Sequence, residues 1–379
     1  MTDSPHNTDL KKTPFHAFHL EHGAKMVPFA GYDMPLHYGS LLEEHRAVRT
    51  AAGMFDVSHM GRIRFTGRHA RRLLETVCTR KLSDMTPGQC RYSLVCNERG
   101  GAMDDVIIYR FEEDWMMVCN ASNRDKIVAH LHAVAARTDM SVKIDDQTDK
   151  TAMIALQGPR VMEMIAQFSK EVPTLKRYRF TVKNLVIVKL IISRTGYTGE
   201  DGVEIILPGG MIGMALKLFL GKAGDAIRPC GLGARDTLRT EAGMPLYGHE
   251  LDEETDPLSA SLSFAVSLDK GAEPDGPGAP GFIGQDALQR VASEGPSKKL
   301  IGLKLDGKRS PRPGMPILLD GKTVGKVTSG CLSPTLGYPI AMGFVDPVSA
   351  TRPSFSIDFG RESAAATSVP LPFYKPKSP

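Results

Sequence analysis

The sequence predicts an α+β chain that ends in a small all-β domain, and three observations carry that expectation. Strand-like runs arrive in hairpin pairs followed by a helix, not in the strict strand–helix alternation of a parallel sheet. The same pattern restarts at Met153. Beyond a stretch dense in Gly, Pro, Ala and Ser at 271–298, which reads as a linker, nearly every apolar run is short and strand-like.

The elements follow in order. Ser40-Leu41-Leu42-Glu43 is a capping box that opens a helix running to Ala51–Ala52, where Gly53 stops it. A second helix is expected over Arg68 to Cys78. Arg91–Cys96, Val106–Tyr109 and Trp115–Cys119 read as strands, the last two forming a hairpin across the acidic turn Glu112-Glu113-Asp114. Ser122-Asn123-Arg124-Asp125 reads as another capping box, with Ile127, Leu131 and Val134 on one face behind it. In the second half, strand Met153–Gln157 leads through Gly158-Pro159 into a helix carrying Val161, Ile165 and Phe168. Strands Leu185–Ser193 and Gly202–Leu207 follow, then helices near Met211–Lys222 and Ala234–Glu241. The terminal strands are Ile301–Leu305, Ile317–Leu319, Val324–Thr328, Ala341–Val345, Ser354–Phe359 and Thr367–Leu371. The Asp320-Gly321 turn marks a hairpin among them, and the set suggests a barrel.

Composition excludes several classes of protein. A chain of 379 residues admits two or three domains. With 41% of residues apolar and 24% charged, it is neither disordered nor fibrous. Folding at this length buries roughly 75% of the chain's surface, so stability requires no disulfide or structural metal. The net charge of +4 is too mild for a dedicated nucleic-acid binder. Six cysteines, at 78, 90, 96, 119, 230 and 331, form no C-x-x-C pair and no zinc-ligand spacing with histidine. Free thiols in a reducing compartment are therefore expected. Met1 to Lys12 resembles neither a secretory signal nor an Arg-rich transit peptide. The most apolar run, Leu185 to Ile192, is short and broken by Lys189, so no segment spans a bilayer and a cytoplasmic protein is expected.

Familiar catalytic motifs are missing. There is no G-x-S-x-G elbow, H-E-x-x-H or acidic calcium loop, and Gly231-Leu232-Gly233 lacks the third glycine of a dinucleotide site. His59 is the histidine nearest a polar turn, and it reads as a satisfied structural residue. Three segments nevertheless suit a site better than a surface loop. In the first, Gly100-Gly101 delivers Asp104 and Asp105 onto an apolar strand, where one carboxylate faces inward and the other outward. An inward carboxylate can accept protons or hold a developing cation; an acid capping a hairpin turn is the competing reading. In the second, three glycines surround Tyr197, and Glu204 sits between Val203 and Ile205 within a strand. A flat heterocycle with an amidine-like edge would satisfy that carboxylate, and so would an internal arginine. In the third, Arg235 and Arg239 lie four apart near a helix N-terminus, which suits an oxygen-rich ligand. Internal ion pairs with Asp236 and Glu241 are the alternative there.

Taken together, these segments resemble the glycine cleavage T-protein family of aminomethyltransferases. The likeness runs through nearly the whole chain. It takes in Gly23-Ala24-Lys25-Met26-Val27, Met34-Pro35-Leu36-His37-Tyr38, Gly53 to Met60, Leu156-Gln157-Gly158-Pro159, Phe282-Ile283-Gly284 and Thr328-Ser329-Gly330 through Gly337. Tyr32 stands where the family usually has Trp, and Ser263-Phe264 where Gly-Trp is common, departures that bear on packing near the cofactor. The resemblance implies a three-domain cloverleaf around a central folate channel, with two interleaved α/β subdomains and a C-terminal β-barrel. The corresponding boundaries are a core at 1–275, the linker at 276–298 and the barrel at 299–379. It implies transfer of the methylene carbon from the dihydrolipoyl arm of a partner, the H-protein, to tetrahydrofolate, with release of ammonia. By motif, Asp105 is similar to the catalytic carboxylate, Glu204 to the residue that pairs with the pterin edge, and Arg235 to the arginine on an oxygen-rich part of folate. Tyr92, Tyr197, Met60 and Val118 would line the cofactor, and Asn120 would support Asp105 across the hairpin. No metal is implied. The basic stretches Arg62 to Arg72 and Lys176 to Arg179 are either solvated faces or a dock for an acidic carrier. A folate-dependent demethylase of the same superfamily and a non-catalytic folate-binding protein are the alternatives. Relatives of the latter kind tend to carry a reactive cysteine near the Tyr197 segment, where this chain has none.

Overall fold

A computed structural model describes residues 10–185, 188–223, 227–271 and 280–376. The chain opens with α1 (His16–Glu21), the hairpin β1 (Lys25–Phe29) and β2 (Tyr32–His37), α2 (Leu41–Thr50) and β3 (Gly53–Asp56). It continues through β4 (Gly61–Thr66), α3 (Ala70–Val77), β5 (Gln89–Cys96), β6 (Ala102–Arg110), β7 (Trp115–Cys119), α4 (Arg124–Arg137) and β8 (Lys143–Asp146). Next come β9 (Thr151–Gln157), α5 (Val161–Ala166), β10 (Phe180–Leu185), β11 (Val188–Ser193), β12 (Gly202–Pro208), α6 (Ile212–Ala223), β13 (Arg228–Pro229) and α7 (Leu232–Glu241). After α8 (Gln285–Glu294) the remainder is β14 (Lys299–Leu305), β15 (Pro316–Leu319), β16 (Lys322–Leu332), β17 (Pro339–Val345), β18 (Ser354–Asp358) and β19 (Ser363–Val369).

Interleaving is the main feature of the topology. β3 belongs to a six-stranded sheet of order β10-β11-β12-β9-β3-β13, yet the chain leaves it to build a five-stranded sheet, β5-β6-β7-β4-β8, before returning as β9. Pairing is antiparallel throughout both sheets except where β13 runs alongside β3. Because strand residues alternate sides, each sheet has two apolar faces to cover. One face of the five-stranded sheet packs under α3 and α4 through Leu73, Leu74, Ile127 and Leu131. One face of the six-stranded sheet packs under α1, α5 and α6 through Phe18, Val161, Ile165 and Ile212. The remaining faces meet: Tyr109, Met116 and Val118 from one sheet join Phe55, Met153, Ala155 and Ile206 from the other in a shared core. The C-terminal strands close as a barrel of order β14-β17-β16-β15-β18-β19, around Leu303, Ile317, Ala341 and Ile357. Its expected tight turn forms with both Asp320 and Gly321 at positive φ, 51° and 78°.

Most expected elements form, and the exceptions have physical reasons. Ser40 caps α2 as read, accepting from Glu43 N–H at 3.3 Å. No such cap forms at α4, because the side chain of Asn123, at its N-cap, is turned away to hydrogen-bond Asp104. The run expected as one strand over Leu185–Ser193 begins its described strand at Val188, and Leu185 pairs with Val188 in a hairpin with β10. The helix after Gly158-Pro159 ends at Ala166, leaving Phe168 outside it and partly exposed. Residues 272–279 of the segment read as linker lie outside the described residues. Its second part contains α8, whose Ala287 and Leu288 are buried beside Phe282, so Gly and Pro density masked an amphipathic helix. Arg62, expected on a basic surface stretch, is wholly buried, whereas Arg68, Arg71 and Arg72 are exposed. Its guanidinium instead donates to the carbonyl oxygens of Ser58, Met60, Thr148 and Thr151, locking the turn before β4. All six cysteines are free and buried. Among the described residues no helix is long and apolar enough to cross a membrane.

Candidate active site

Between the two sheets, roofed by α7 and the 244–264 segment, lies a cavity of about 520 Å³. All eight residues singled out from the sequence line it: Met60, Tyr92, Asp105, Val118, Asn120, Tyr197, Glu204 and Arg235. They come from six separate parts of the chain, and the facing sheets bring them together.

Asp104 and Asp105 obey the alternation of β6. Asp104 points under the sheet and is fully buried, while Asp105 faces the cavity and not bulk solvent, because the second sheet covers that side. Asn120, just past β7, donates one amide group to both: its Nδ2 lies 2.8 Å from Asp104 Oδ1 and 2.7 Å from Asp105 Oδ1. Asp104 also accepts from the Asn120 backbone N–H at 3.0 Å and from Asn123 Nδ2 at 2.7 Å. The Tyr92 hydroxyl donates to Asp105 Oδ2 at 3.1 Å. Burial raises the proton affinity of both carboxyls, and for Asp104 the neighbouring charge of Asp105 adds to it; the amide and phenol donors oppose the rise. Reading Asp105 as a plain turn cap does not fit a carboxyl on the wall of a cavity.

Glu204 is buried on β12, where Thr195 Oγ1 donates to its Oε2 at 2.5 Å. Burial raises its pKa against the Thr195 hydrogen bond and the charge of Arg235. Among the described residues it has no salt bridge, so the internal-arginine alternative is not realised. Arg235, on α7, has Nη1 buried without a hydrogen-bond partner and its guanidinium 4.8 Å from the centre of the Tyr197 ring. Burial disfavours its charge, offset in part by Glu204 and Tyr197. Arg239 divides from Arg235 despite sharing the face. It is buried and satisfied by Asp236 at 2.7 Å, Glu250 at 3.0 Å and Ser329 at 2.8 Å, the internal ion-pair role weighed for this helix. Glu241 pairs with Arg49 of α2 and not within its own helix.

Sequence reasoning missed other parts of the wall. His59, read as a satisfied histidine, lines the cavity with Nδ1 buried and unpartnered. Burial, with the charges of Arg235 and Arg62, lowers its pKa to about 4 against the pull of Asp56, so the ring is neutral. Phe29, Leu36 and Leu246 supply apolar wall, and Phe264 stacks on Tyr92 with ring centres 6.0 Å apart. These residues carry no local signal, since only the docking of distant loops turns them inward. The Ser263-Phe264 departure therefore falls directly at the cavity.

A cavity with ionisable groups on opposing walls suits a small-molecule ligand with polar edges. Two family models cover nearly the whole chain: the GCVT N-terminal domain matches residues 15–270, and the glycine cleavage T-protein C-terminal barrel domain matches 298–375. The chain belongs to the glycine cleavage T-protein family. It is 45% identical over 370 residues to a protein named aminomethyltransferase from Rubrobacter xylanophilus, covering 97% of this chain and 95% of the relative. A protein of the same name from Symbiobacterium thermophilum is 41% identical, over 97% of this chain and 98% of the relative. The crystal structure of glycine cleavage system aminomethyltransferase T from Bartonella henselae superposes with a TM-score of 0.88 at 32% identity, covering 97% of this chain and 99% of that one. The class of activity is aminomethyl transfer.

Proposed function

We propose that tetrahydrofolate occupies the cavity and takes the one-carbon unit from the aminomethylated lipoyl arm of an H-protein. In the balanced transfer, the S–CH2 and CH2–NH2 bonds break and two folate N–H bonds are exchanged for two N–CH2 bonds. One proton goes to the sulfur and one to the departing amine, giving a thiol and ammonia, and the carbon keeps its oxidation level. No external oxidant or reductant enters.

The observation that carries this reading is the convergence of Asp105, Glu204 and Arg235 on one cavity. Glu204 offers an ionisable acceptor for paired N–H donors, as a pterin's amino edge presents. Arg235 Nη1 needs an acceptor, which a carbonyl or carboxylate oxygen supplies. Asp105 stands on the opposite sheet, placed to stabilise a cationic methylene-iminium species and to orient the attacking nitrogen. Met60, Val118, Tyr92 and Tyr197 form the apolar and aromatic wall, and Asn120 holds Asp105. On this reading residues 1–275 are the catalytic core and 299–379 the barrel, and the buried free thiols suit a reducing cytoplasm.

The test is ammonia release from aminomethylated, lipoylated H-protein, with and without tetrahydrofolate. Folate-dependent ammonia with matching methylenetetrahydrofolate is expected. Saturable folate binding without ammonia would overturn the reading in favour of a methyl donor.

A further inference from the structure

We infer that His59 is a specificity-determining residue of the cavity: through Nε2 it donates a hydrogen bond to a carbonyl or carboxylate oxygen of the one-carbon acceptor, beside Arg235. The inference rests on the reading above in taking tetrahydrofolate as the occupant.

His59 lies in the turn between β3 and β4. It is only 3% exposed, yet it belongs to the cavity wall. Its ring packs against aromatic neighbours, Phe29 edge-on at 5.6 Å between ring centres and Tyr32 at 6.3 Å. Nδ1 is buried with no hydrogen-bond partner. Asp56, the carboxylate whose charge acts on the ring, is taken up by Thr13 at 2.6 Å, His19 at 3.0 Å and the Ser58 N–H at 2.8 Å. It leaves Nδ1 no acceptor. A buried N–H without a partner is worse than a buried lone pair without one, so the proton of the uncharged ring sits on Nε2. With Nδ1 closed off, the ring meets the cavity by its Nε2 edge. Burial and the charges of Arg235 and Arg62 keep the ring uncharged near neutral pH, so it offers one N–H donor and not a second cation.

Arg235 belongs to the same wall, and the β1–β2 hairpin supports both residues. Phe29 and Tyr32 back His59, while α7 rests on Leu36, whose carbonyl oxygen a Cβ on Gly231 would approach to 2.3 Å. Phe29, Leu36, His59, Gly233 and Arg235 all line the cavity. Arg235 Nη1 lacks a hydrogen-bond partner too, and a guanidinium accepts nothing. A ligand atom at this corner therefore meets donors. An oxygen gains a hydrogen bond from His59 and the attraction of Arg235. An amino group in its place meets donors with donors of its own and is rejected.

The experiment measures binding to the full-length protein by titration calorimetry. The probes are tetrahydrofolate and a tetrahydropterin that lacks the benzoylglutamate tail. His59→Phe keeps an aromatic ring and removes the donor, so tetrahydrofolate affinity should fall about tenfold or more. His59→Gln keeps an amide N–H in place of the Nε2 donor, and affinity should stay within about threefold of the parent. In urea denaturation without ligand, His59→Phe should be at least as stable as the parent, because it removes a buried nitrogen that has no partner in the protein. A merely structural histidine would show the reverse, lost stability with unchanged affinity. The two probes tell the oxygens apart: an equal loss for both assigns the pterin carbonyl, and a loss for tetrahydrofolate alone assigns the tail. Unchanged tetrahydrofolate affinity in His59→Phe, or an equally large loss in His59→Gln, would overturn the inference. Should His59→Phe fail to fold, nitrogen NMR of the histidine-labelled parent decides: an Nε2 signal of His59 that tetrahydrofolate leaves unmoved overturns it. A parent that binds no tetrahydrofolate removes the reading above as well, whereas a binding parent with an unaltered His59→Phe variant removes the inference alone.

Discussion

Asp105 has a cavity on one side, a buried carboxyl on the residue before it and, among the described residues, no salt-bridge partner. Its substitution by Asn should therefore separate binding from chemistry. Asp105→Asn should bind tetrahydrofolate nearly as well as the parent while kcat falls about 10²-fold or more, measured by single-turnover transfer from the loaded H-protein. Parental turnover would remove Asp105 from the mechanism. Glu204→Gln makes the opposite division. It replaces an acceptor with a group that also presents a donor, so folate affinity should weaken about tenfold or more by titration calorimetry. Undiminished affinity would place the pterin edge elsewhere. Both residues were legible because a carboxylate inside an apolar strand is costly without a purpose. His59 was not, because a lone histidine in a turn gives no sign of which wall it will join.

At the scale of elements, the β5–β6 hairpin sets the direction of both acids. Gly100 takes a positive φ of 86° at its tip, and a Cβ on Gly101 would stand 1.8 Å from the Glu253 carbonyl oxygen. Gly101→Ala must push the 252–255 segment off the hairpin. A loss of about 1–3 kcal/mol in urea denaturation is expected, with weaker folate binding as Asp105 shifts. A parental midpoint would mean the backbone gives way without cost. The amphipathic face of α4 was readable from its 3.6-residue spacing, and Ile127, Leu131 and Val134 are all buried. Its cap was misread for an instructive reason. Asn123 and Ser122 have the right chemistry for a capping box, but Asp104, nineteen positions earlier in sequence, competes for the same amide. Local pattern cannot register a partner that arrives through the sheet.

For the whole molecule, Glu241 is a joint between the N-terminal domain and the C-terminal barrel. It accepts from Arg49 of α2 at 2.8 Å, and from Ser333 and Thr335 of the barrel side. Arg49 meanwhile reaches Thr198 O at 2.7 Å and Glu200 at 2.9 Å on the Tyr197 loop. Burial alone would raise the Glu241 carboxyl, but His45, Ser333 and Arg49 outweigh it and bring it down to about 2. A depressed acid contributes stability that is present above its ordinary value of 4.5 and is lost as pH falls toward about 2. His59, neutral in the fold down to about 4, costs stability in an earlier window, as pH falls from its ordinary 6.5. Denaturation curves at stepped pH should resolve the two. His59→Gln should flatten the slope between about pH 6.5 and 4, and Glu241→Gln the slope below about 4.5, with a loss of about 3–5 kcal/mol at neutrality. A Glu241→Gln variant with parental stability and acid slope would show that the joint contributes nothing.

The amino-acid sequence by itself determined the α+β class, the C-terminal barrel, most helix faces and the polar residues of the cavity. These depend on periodicity, turn chemistry and the cost of placing a carboxylate in a strand, all of which act within a few residues. Tertiary structure alone decided that Arg62 is buried under carbonyl oxygens, that Arg235 is left unpartnered while Arg239 is satisfied, and that Asp104 and Asp105 share one amide. Each of those outcomes depends on which distant segment supplies a hydrogen-bond partner. That is settled only when two interleaved sheets close on each other and exclude water between them.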